Sequence, residues 1–282
     1  MAVSDAGTVT AVVEAANADA SRRAQRDTPE HTPEQRQWFA RCMVRFAERD
    51  GDGAWVAETD GGRVVGMAEA IRRGPFWGLS MLFVDPAWQS RGVGQALLER
   101  ALRSAEGASL RMIVSSSDPR ALRRYWAAGL TIHPTLEATG EVDRRRVPPA
   151  LPGRPGATDD LALVAEVDAG LRGRRDEDVA FLLSVGAELD VVDGPGGRGY
   201  AVRRDNRLQM LGATDDETAK LLAWRYLAAV EGPATMSTLT SAQSWAVDVA
   251  MAAGLAVQPR GALFVDGLER PPGPWLPSGW FF

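Results

Sequence analysis

An internal repeat constrains the fold of this chain more than any other feature of its sequence. The tetrapeptide AAGL at residues 127–130 recurs at residues 252–255, and a proline follows both copies at the same spacing. At the same offset of 125 positions, the helical pattern of residues 95–102 aligns with residues 220–227 without a gap. The order of predicted elements also agrees, so duplication explains the match better than coincidence between two alanine-rich helix ends.

A stretch rich in proline and glycine separates the two copies. Residues 144–157 read RRRVPPALPGRPGA, and proline and glycine interrupt both helices and strands. We therefore predict a first domain over residues 1–146, a linker over 147–157 and a second domain over 158–282.

Hydrophobic periodicity and turn residues predict an α/β chain in which helices and strands alternate. In the first half we expect helices over 8–20, 33–48, 94–105 and 119–129, and strands over 54–58, 64–71, 79–84 and 110–114, with one more strand after the last helix. In the second half we expect two helices within 158–185, helices over 217–230 and 242–253, and strands near 189–192, 199–202, 208–211, 234–239 and 261–265. Thr32, Pro33 and Gln35 predict a capping box at the start of the second helix.

Composition excludes several classes of function. The formal net charge of -5 gives no basic bias toward nucleic acid or an anionic membrane. The single cysteine excludes an intrachain disulfide and a cysteine-based zinc site, and two histidines make a metal site improbable, so we expect no metal. Without a signal peptide or a long apolar segment, we expect a cytoplasmic protein that contacts neither nucleic acid nor membrane.

One loop carries a pattern suited to phosphate. Gln89-Ser90-Arg91-Gly92-Val93-Gly94 lies between a predicted strand that ends at Val84-Asp85-Pro86 and a predicted helix. A helix start offers unpaired backbone N–H groups and a partial positive charge, and glycines let that backbone approach a phosphate closely. Arg91 adds a cation, so the loop suits a pyrophosphate, and the alternative is a plain glycine turn.

This loop resembles the signature Gln/Arg-x-x-Gly-x-Gly/Ala of the GNAT acetyltransferases, which follows a strand ending in Val-x-Pro. The family's later pattern of Asn, Ala and Tyr-x-x-x-Gly-Phe is similar to Asp118, Ala121, Tyr125, Gly129 and Leu130. The resemblance covers residues 8–140 directly and the second half by repetition. It implies two tandem acyl-CoA N-acyltransferase domains, each with a central mixed sheet flanked by helices.

The resemblance also implies a direct transfer from acetyl-CoA to an amine in a ternary complex. The backbone of Leu82, Phe83 and Val84 would bind the pantetheine arm and polarise the thioester carbonyl. Tyr125 would donate a proton to the leaving thiolate, although an aromatic packed beneath the cofactor is the alternative. The implied pyrophosphate site comprises Gln89, Ser90, Arg91, Gly92, Val93, Gly94 and Gln95, and Asp118 and Ala121 complete the implied cofactor-binding set.

Three features depart from the family pattern, and the first is Asp118, which replaces the family's asparagine and can still cap the helix. Ser80 stands where many members carry a glutamate base, and a serine without a histidine partner is a poor base. Glu69 is the nearest substitute, and the alternative interpretation places it on the solvent-facing side of its strand. Only Met1–Ser4 precede the first helix, so the family's first strand is short, missing or lost to a wrongly assigned start.

The second domain lacks the chemistry of the first. At the 125-residue offset, residues 214–219 (TDDETA) replace the loop, without its glycines and with three carboxylates, and Ala250 replaces Tyr125. Like charges would repel a pyrophosphate there, whereas acidic residues also stabilise a helix start. We predict a degenerate, non-catalytic domain. The aromatic C-terminal segment, with Trp275, Trp280, Phe281 and Phe282, either packs on the body or forms a wall of the acceptor site.

The acceptor is not defined by the sequence beyond a primary amine of a small molecule or peptide. Residues 17–41 and 72–77 are expected to shape its pocket. The first segment contributes Arg22, Arg23, Arg26, Glu30, His31 and Trp38, and the second adds aromatics. We expect a monomer or homodimer. A non-catalytic acyl-CoA-binding regulatory protein is the alternative function, and an interaction protein that binds no CoA is a third.

Overall fold

A computed structural model describes residues 1–23, 32–277 and 279–282. Within these residues the helices are α1 (Ala6–Arg23), α2 (Pro33–Arg49), α3 (Val93–Arg103), α4 (Pro119–Ala127), α5 (Leu161–Ala169), α6 (Asp176–Ser184), α7 (Asp216–Ala229) and α8 (Ser244–Ala252). The strands are β1 (Trp55–Glu58), β2 (Val64–Arg73), β3 (Phe76–Val84), β4 (Leu110–Ser115), β5 (Thr131–Gly140), β6 (Arg154–Pro155), β7 (Glu188–Gly194), β8 (Gly197–Arg204), β9 (Arg207–Ala213), β10 (Ala234–Leu239), β11 (Ala256–Asp266) and β12 (Trp275–Leu276).

Contacts divide the chain into two compact units, one of residues 1–72 and 77–108 and one of residues 73–76 and 109–282. In the first unit, β1, β2 and β3 are neighbours in that order. Gly66 on β2 leaves no room for a side chain, since a Cβ there would come within 2.9 Å of Leu97 and 3.2 Å of Val93. The glycine therefore lets α3 lie close against β2.

Helices α2 and α3 of the first unit begin close to the residues that the sequence predicts. The N–H of Gln35 donates to the Thr32 hydroxyl at 3.3 Å and the N–H of Thr32 donates to Oε1 of Gln35 at 2.9 Å, so the capping box is confirmed. Leu97, Leu98 and Ala101 are buried on one face of α3. The residues before α1 form a short 3-10 turn over Val3–Asp5 rather than a strand.

The second unit contains a large mixed sheet with the strand order β4-β11-β5-β10-β9-β8-β7-β6, and β12 also pairs with β9. The β10–β9 pair is parallel, whereas β11 is antiparallel to both β4 and β5. Leu263 on β11 thus lies between Val114 on β4 and His133 on β5. Helices α7 and α8 pack on this sheet with an extensive apolar core that includes Leu222, Tyr226 and Trp245.

The repeat is present element by element. Helices α4 and α8 begin at residues 119 and 244 and end at residues 127 and 252, so both ends are 125 residues apart. Strands β5 and β11 begin at residues 131 and 256, the same offset, and they pair with each other. Each is also a neighbour of a strand from the other copy, because β11 pairs with β4 and β10 pairs with β5. The two copies therefore exchange their final strands.

The predicted linker over residues 147–157 is not wholly irregular. Its Arg154–Pro155 forms β6, which pairs with β7 through Arg154↔Val191 and Pro155↔Asp190 at the edge of the sheet. Proline is tolerated there because an edge strand does not need every backbone donor. The domain boundaries at residues 146 and 158 stay a prediction. Across the parts of the chain that the structure describes, no helix combines the length and apolarity that a membrane crossing requires.

Candidate active site

The loop after β3 is tied to the strand end by its own side chains. The carboxylate of Asp85 accepts the N–H of Ala87 at 2.9 Å and starts a short 3-10 turn over Pro86–Trp88. The side-chain amide of Gln89 donates to the carbonyl of Val84 at 3.2 Å. Gln89, the first residue of the motif, is thus hydrogen-bonded to the end of β3, and this contact positions the glycines that follow.

Helix α3 begins without a side-chain cap. Gly92 is its N-cap residue, with φ +84°, and as a glycine it has no side chain that could accept a hydrogen bond from the first turn. The N–H groups of Gln95 and Ala96 donate to the Gly92 carbonyl, both at 3.0 Å. Ser90 also has a positive φ of 61°, and alternating backbone conformations of this kind can turn successive N–H groups toward an anion. The uncapped helix start therefore offers backbone donors and a partial positive charge to a phosphate.

Five more of the predicted cofactor residues lie in the same unit, on the loop, on α3 and at the end of β3. The guanidinium of Arg91 lies 5.2 Å from the centre of the Trp88 ring, so an aromatic holds the cation beside the loop. The side-chain amide of Gln95 donates to Glu99 at 3.0 Å and its backbone N–H donates to Gly92, so both donors of Gln95 are used within α3. Leu82, Phe83 and Val84 are half-buried at the end of a strand whose first six residues are buried. These features suit a strand end that pairs with an extended ligand.

Glu69 is fully buried, so its interpretation as a solvent-facing strand residue is wrong. Gly66 lies beside Phe83 across the β2–β3 hairpin, since a Cβ on Gly66 would be 3.2 Å from the Phe83 carbonyl oxygen. Counting three residues along each antiparallel strand places Glu69 beside Ser80, which is itself 8% exposed. A buried carboxyl group therefore lies next to the position where the family pattern has its glutamate.

In the second unit, Asp118 starts α4 as predicted. Its Oδ1 accepts the N–H of Arg120 at 2.8 Å, and Pro119 is the first helical residue. Oδ2 of Asp118 also accepts from the Arg120 guanidinium at 2.6 Å. Asp118 therefore fixes the direction of α4, and Ala121 lies in the first turn that it caps.

Tyr125 is buried on α4, with 6% of its surface exposed. Its ring meets the ring of Phe264 edge to face, with centroids 5.5 Å apart. Burial raises the pKa of the Tyr125 hydroxyl to about 12. The phenol therefore stays neutral over the working pH range of proteins and acts as a hydrogen-bond donor, although it is a weaker acid than a free tyrosine.

The equivalent helix start in the second copy is capped by the chain itself. Oδ1 of Asp215 accepts the N–H of Thr218 at 2.8 Å, and Oδ2 accepts from the hydroxyls of Thr218 and Thr214 at 2.9 and 2.8 Å. Burial works to raise the pKa of Asp215, but these hydrogen bonds outweigh it and the pKa is lowered. A carboxylate of the protein thus takes the place that a phosphate would need. Charge repulsion is the reason expected from the sequence, and the structure adds this cap.

The role of residues 17–41 in acceptor binding stays a prediction. Arg26, Glu30 and His31 lie outside the described residues. Arg22 and Arg23 are paired with Asp19 on α1, and Trp38 is half-buried on α2.

The aromatics expected from residues 72–77 do not line an open pocket. Phe76 and Trp77 are fully buried, and the indole N–H of Trp77 donates to the hydroxyl of Ser104 at 2.9 Å. The expectation that these aromatics line the acceptor pocket is wrong, because both rings are buried in the interior of the protein. The C-terminal aromatics do pack on the body, since Trp275, Phe281 and Phe282 are at most 1% exposed.

The chain resembles known proteins in sequence and in fold. The family model of the acetyltransferase (GNAT) family matches residues 13–129. No curated protein sequence matches the chain significantly.

Solved structures resemble the chain over nearly its whole length. A candidate acetyltransferase from Pyrococcus horikoshii has a TM-score of 0.76 at 13% identity, covering 95% of this chain and 88% of that one. A GCN5-related N-acetyltransferase from Sphaerobacter thermophilus has a TM-score of 0.58 at 15% identity, covering 94% and 93%. A tandem GNAT protein from the clavulanic acid biosynthesis pathway has a TM-score of 0.56 at 18% identity, covering 94% and 96%. At these identities the likeness is one of fold, and the fold is that of a tandem GNAT protein.

Proposed function

We propose that this chain transfers an acetyl group from acetyl-CoA to a primary amine of a small molecule or peptide, because residues 13–129 match the model of the acetyltransferase (GNAT) family. The observation that carries the proposal is the uncapped start of α3, where Gly92 adopts φ +84° in the loop after β3. The family match supports acyl transfer in general, and the choice of acetyl-CoA and of an amine acceptor is our proposal.

The chain would hold acetyl-CoA mainly through its backbone. The first N–H groups of α3 and the charge of Arg91 would bind the pyrophosphate. The half-buried strand end at Leu82–Val84 would pair with the pantetheine amides, and one of its N–H groups would stabilise the oxyanion. This assignment accounts for the absence of a side-chain cap on α3, since a capping side chain would compete with the phosphate.

The reaction would be a direct displacement at the thioester. The neutral amine attacks the carbonyl carbon, a C–N bond forms, and the C–S bond breaks as coenzyme A leaves as a thiolate. The amine loses a proton to Glu69, directly or through water, and the buried carboxyl beside Ser80 is the reason for this choice. Tyr125 would stabilise the thiolate by donating its hydroxyl proton in a hydrogen bond and then transferring it.

A second candidate function is a non-catalytic acyl-CoA-binding regulatory protein. The replacement of the family's glutamate by Ser80 favours it. It shares the loop at Gly92 with the first proposal but needs neither Glu69 nor Tyr125. An assay of acetyl transfer therefore distinguishes the two candidates, whereas an assay of acetyl-CoA binding does not.

The test measures free thiol released from acetyl-CoA in the presence of a panel of primary amines, including a polyamine, an amino sugar and a dipeptide. We expect release that depends on the amine and an acetylated product of matching mass. Binding of acetyl-CoA without release by any amine would favour the regulatory protein. A thermal-shift experiment precedes it, because a ligand at 100 times its dissociation constant stabilises the folded state by about 2.7 kcal/mol. No shift with acetyl-CoA would exclude both candidates.

A further inference from the structure

Strands β9 and β10 of the second unit are parallel, and they separate after a short stretch of pairing. Strand β10 pairs with β9 in parallel at Thr235 and Arg207, near the start of both strands. Further along β9, Gly212 and Leu211 pair with Tyr200 and Ala201 of β8 on one edge. The opposite edge of β9 at these two residues faces the opening toward β10.

The chain fills this opening with its own peptide. Strand β12 pairs with β9 through Trp275↔Gly212 and Leu276↔Leu211. Because β8 already occupies one edge of β9 there, β12 lies on the other edge, and it also contacts β10. The opening between β9 and β10 therefore contains an extended peptide that is hydrogen-bonded to a strand edge.

The residues before β12 are held by their carbonyl groups. The N–H of Ala213 donates to the carbonyl of Pro274 at 2.9 Å. The side-chain amide of Gln243 donates to Pro272 at 2.5 Å, and the indole N–H of Trp245 donates to Gly273 at 2.9 Å. Three consecutive carbonyls thus have donors from the cleft. Pro272 and Pro274 lack N–H groups, so the segment leaves few backbone donors without a partner.

The residues after β12 are held by buried cations. Nη2 of Arg172 donates to the carbonyls of Phe281 and Phe282 at 2.9 and 2.7 Å. Arg175 donates to the Phe282 carbonyl as well and lies 5.8 Å from the centre of the Trp275 ring. Arg172 and Arg175 are 4% and 0% exposed, so their hydrogen bonds to these carbonyls are formed away from water, where such bonds are strong.

A buried carboxylate fixes Arg175 in this position. Asp168 accepts from Nε and Nη2 of Arg175 at 3.0 and 2.9 Å, and from the hydroxyl of Tyr200 at 2.8 Å. A Cβ on Gly212 would lie 3.0 Å from the Tyr200 ring and 3.1 Å from Asp168, so the network lies directly against β9 where β12 pairs. Arg175, one of the two cations that hold the peptide, is therefore positioned by the cleft and not by the peptide.

From these contacts we infer that the second copy keeps a ligand-binding cleft whose ligand is the chain's own proline- and aromatic-rich segment, residues 272–277 and 279–282. The cleft recognises an extended peptide by a strand edge, by donors to its carbonyls and by pockets for its aromatic rings. The cleft is occupied by a segment of the same chain, and the carboxylate of Asp215 caps the start of α7. The inference does not depend on the proposed transferase activity.

The test cuts the chain between the C-terminal segment and the rest of the protein, here called the body, and leaves the segment in place. A recognition sequence for a specific protease is inserted between Glu269 and Arg270, in a turn whose residues 267–270 are all exposed. After cleavage we expect the fragment to elute with the body on size exclusion in native buffer and to separate from it in denaturant. A labelled synthetic peptide of residues 270–282 should then exchange into the cut protein with a measurable dissociation constant.

Two variants of the labelled peptide refine the result, both measured on the cut protein. Trp275→Ala removes a fully buried ring and should raise the dissociation constant about tenfold or more, as loss of a buried tryptophan anchor does. The control is Leu268→Ala in a peptide extended to residue 267. Because the Leu268 side chain is exposed, this change should leave the dissociation constant equal to that of the unchanged extended peptide.

Two outcomes would overturn the inference. Release of the fragment from a body that stays folded would show that the cleft does not hold it. Loss of the body's circular dichroism on cleavage would show that the segment is part of the core and not a bound ligand. Acetyl-CoA binding to the uncut protein is measured separately, so failure of the proposed function is distinguishable from either outcome.

Discussion

Asp215 holds the first turn of α7 through its own carboxylate, whose Oδ1 lies 2.8 Å from the backbone nitrogen of Thr218. The matching helix of the first copy, α3, has Gly92 as its N-cap residue and no side-chain cap. One helix start is therefore satisfied within the protein and the other is open to a ligand. This contrast gives the two copies different expected responses to mutation.

Replacing Asp215 with alanine should lower the free energy of unfolding by about 1 kcal/mol at neutral pH, because the cap is lost. The folded-state pKa of Asp215 is lowered from 3.8, so its charge stabilises the fold above that value and the stabilisation is lost as the pH falls through the lowered pKa. Urea unfolding at pH 7 and near pH 3 measures both. Asp215→Asn retains a capping oxygen and should cost less at pH 7, and an equal loss in both variants would contradict the cap.

Gly92→Ala should weaken acetyl-CoA binding about tenfold or more. An added Cβ meets no atom within 4 Å, but φ +84° is unfavourable for alanine, by about 1–2 kcal/mol, and a shifted loop misplaces the phosphate donors. Gly62→Ala is the matched control, since φ there is +76° and its Cβ is equally free. Titration calorimetry should find the control unchanged. Equal loss in the two variants would show that general strain, and not the loop, is responsible.

Tyr125→Phe should reduce turnover about 100-fold while the dissociation constant for acetyl-CoA stays constant. Trp126→Phe alters the adjacent side chain, which is 69% exposed, and should have little effect. Because burial raises the pKa of Tyr125 to about 12, its ionisation should cause no loss of rate below about pH 11. Steady-state kinetics with the best amine tests both points, and wild-type turnover in Tyr125→Phe would remove Tyr125 from the mechanism.

Arg73→Met should destabilise the protein by about 3–5 kcal/mol, because it leaves the carboxylate of Asp178 buried without its cation. The pair is bidentate, with Nε and Nη2 at 2.6 and 2.7 Å from the carboxylate oxygens, and Asp178 is fully buried. Arg174→Met is the control, since its side chain is 67% exposed in its pair with Asp176, and it should cost less than about 1 kcal/mol. Guanidinium unfolding compares the two, and the double variant Arg73→Met with Asp178→Leu should recover part of the loss.

Local features of the fold followed from the sequence. The capping box at Thr32 and the start of α4 at Asp118 rest on residues within four positions of each other, and such contacts are encoded locally. The repeat offset also placed α8, because both copies of the helix carry the same AAGL end. The loop at Gly92 belongs to the same class, since its glycines and its neighbours in the chain supply the whole motif.

Long-range features of the fold could not be predicted from the sequence. The sequence predicts a strand near residues 261–265, but nothing in that local pattern selects β4 and β5 as the partners of β11. The burial of Glu69 was missed for a similar reason, because a charged residue on a strand suggests solvent until its neighbours are known. The peptide cleft was missed because its donors, among them Gln243 and Arg172, are distant in sequence from the segment that they hold.

The insertion of β11 between β4 and β5 has a consequence for synthesis on the ribosome. Strand β11 begins about 140 residues after β4 ends, which corresponds to a delay on the order of ten seconds at typical translation rates. During that interval β4 and β5 are made but lack the strand that separates them, and their unpaired edges are open to chaperones or to wrong partners. The nascent chain must keep this gap open until its last large strand emerges.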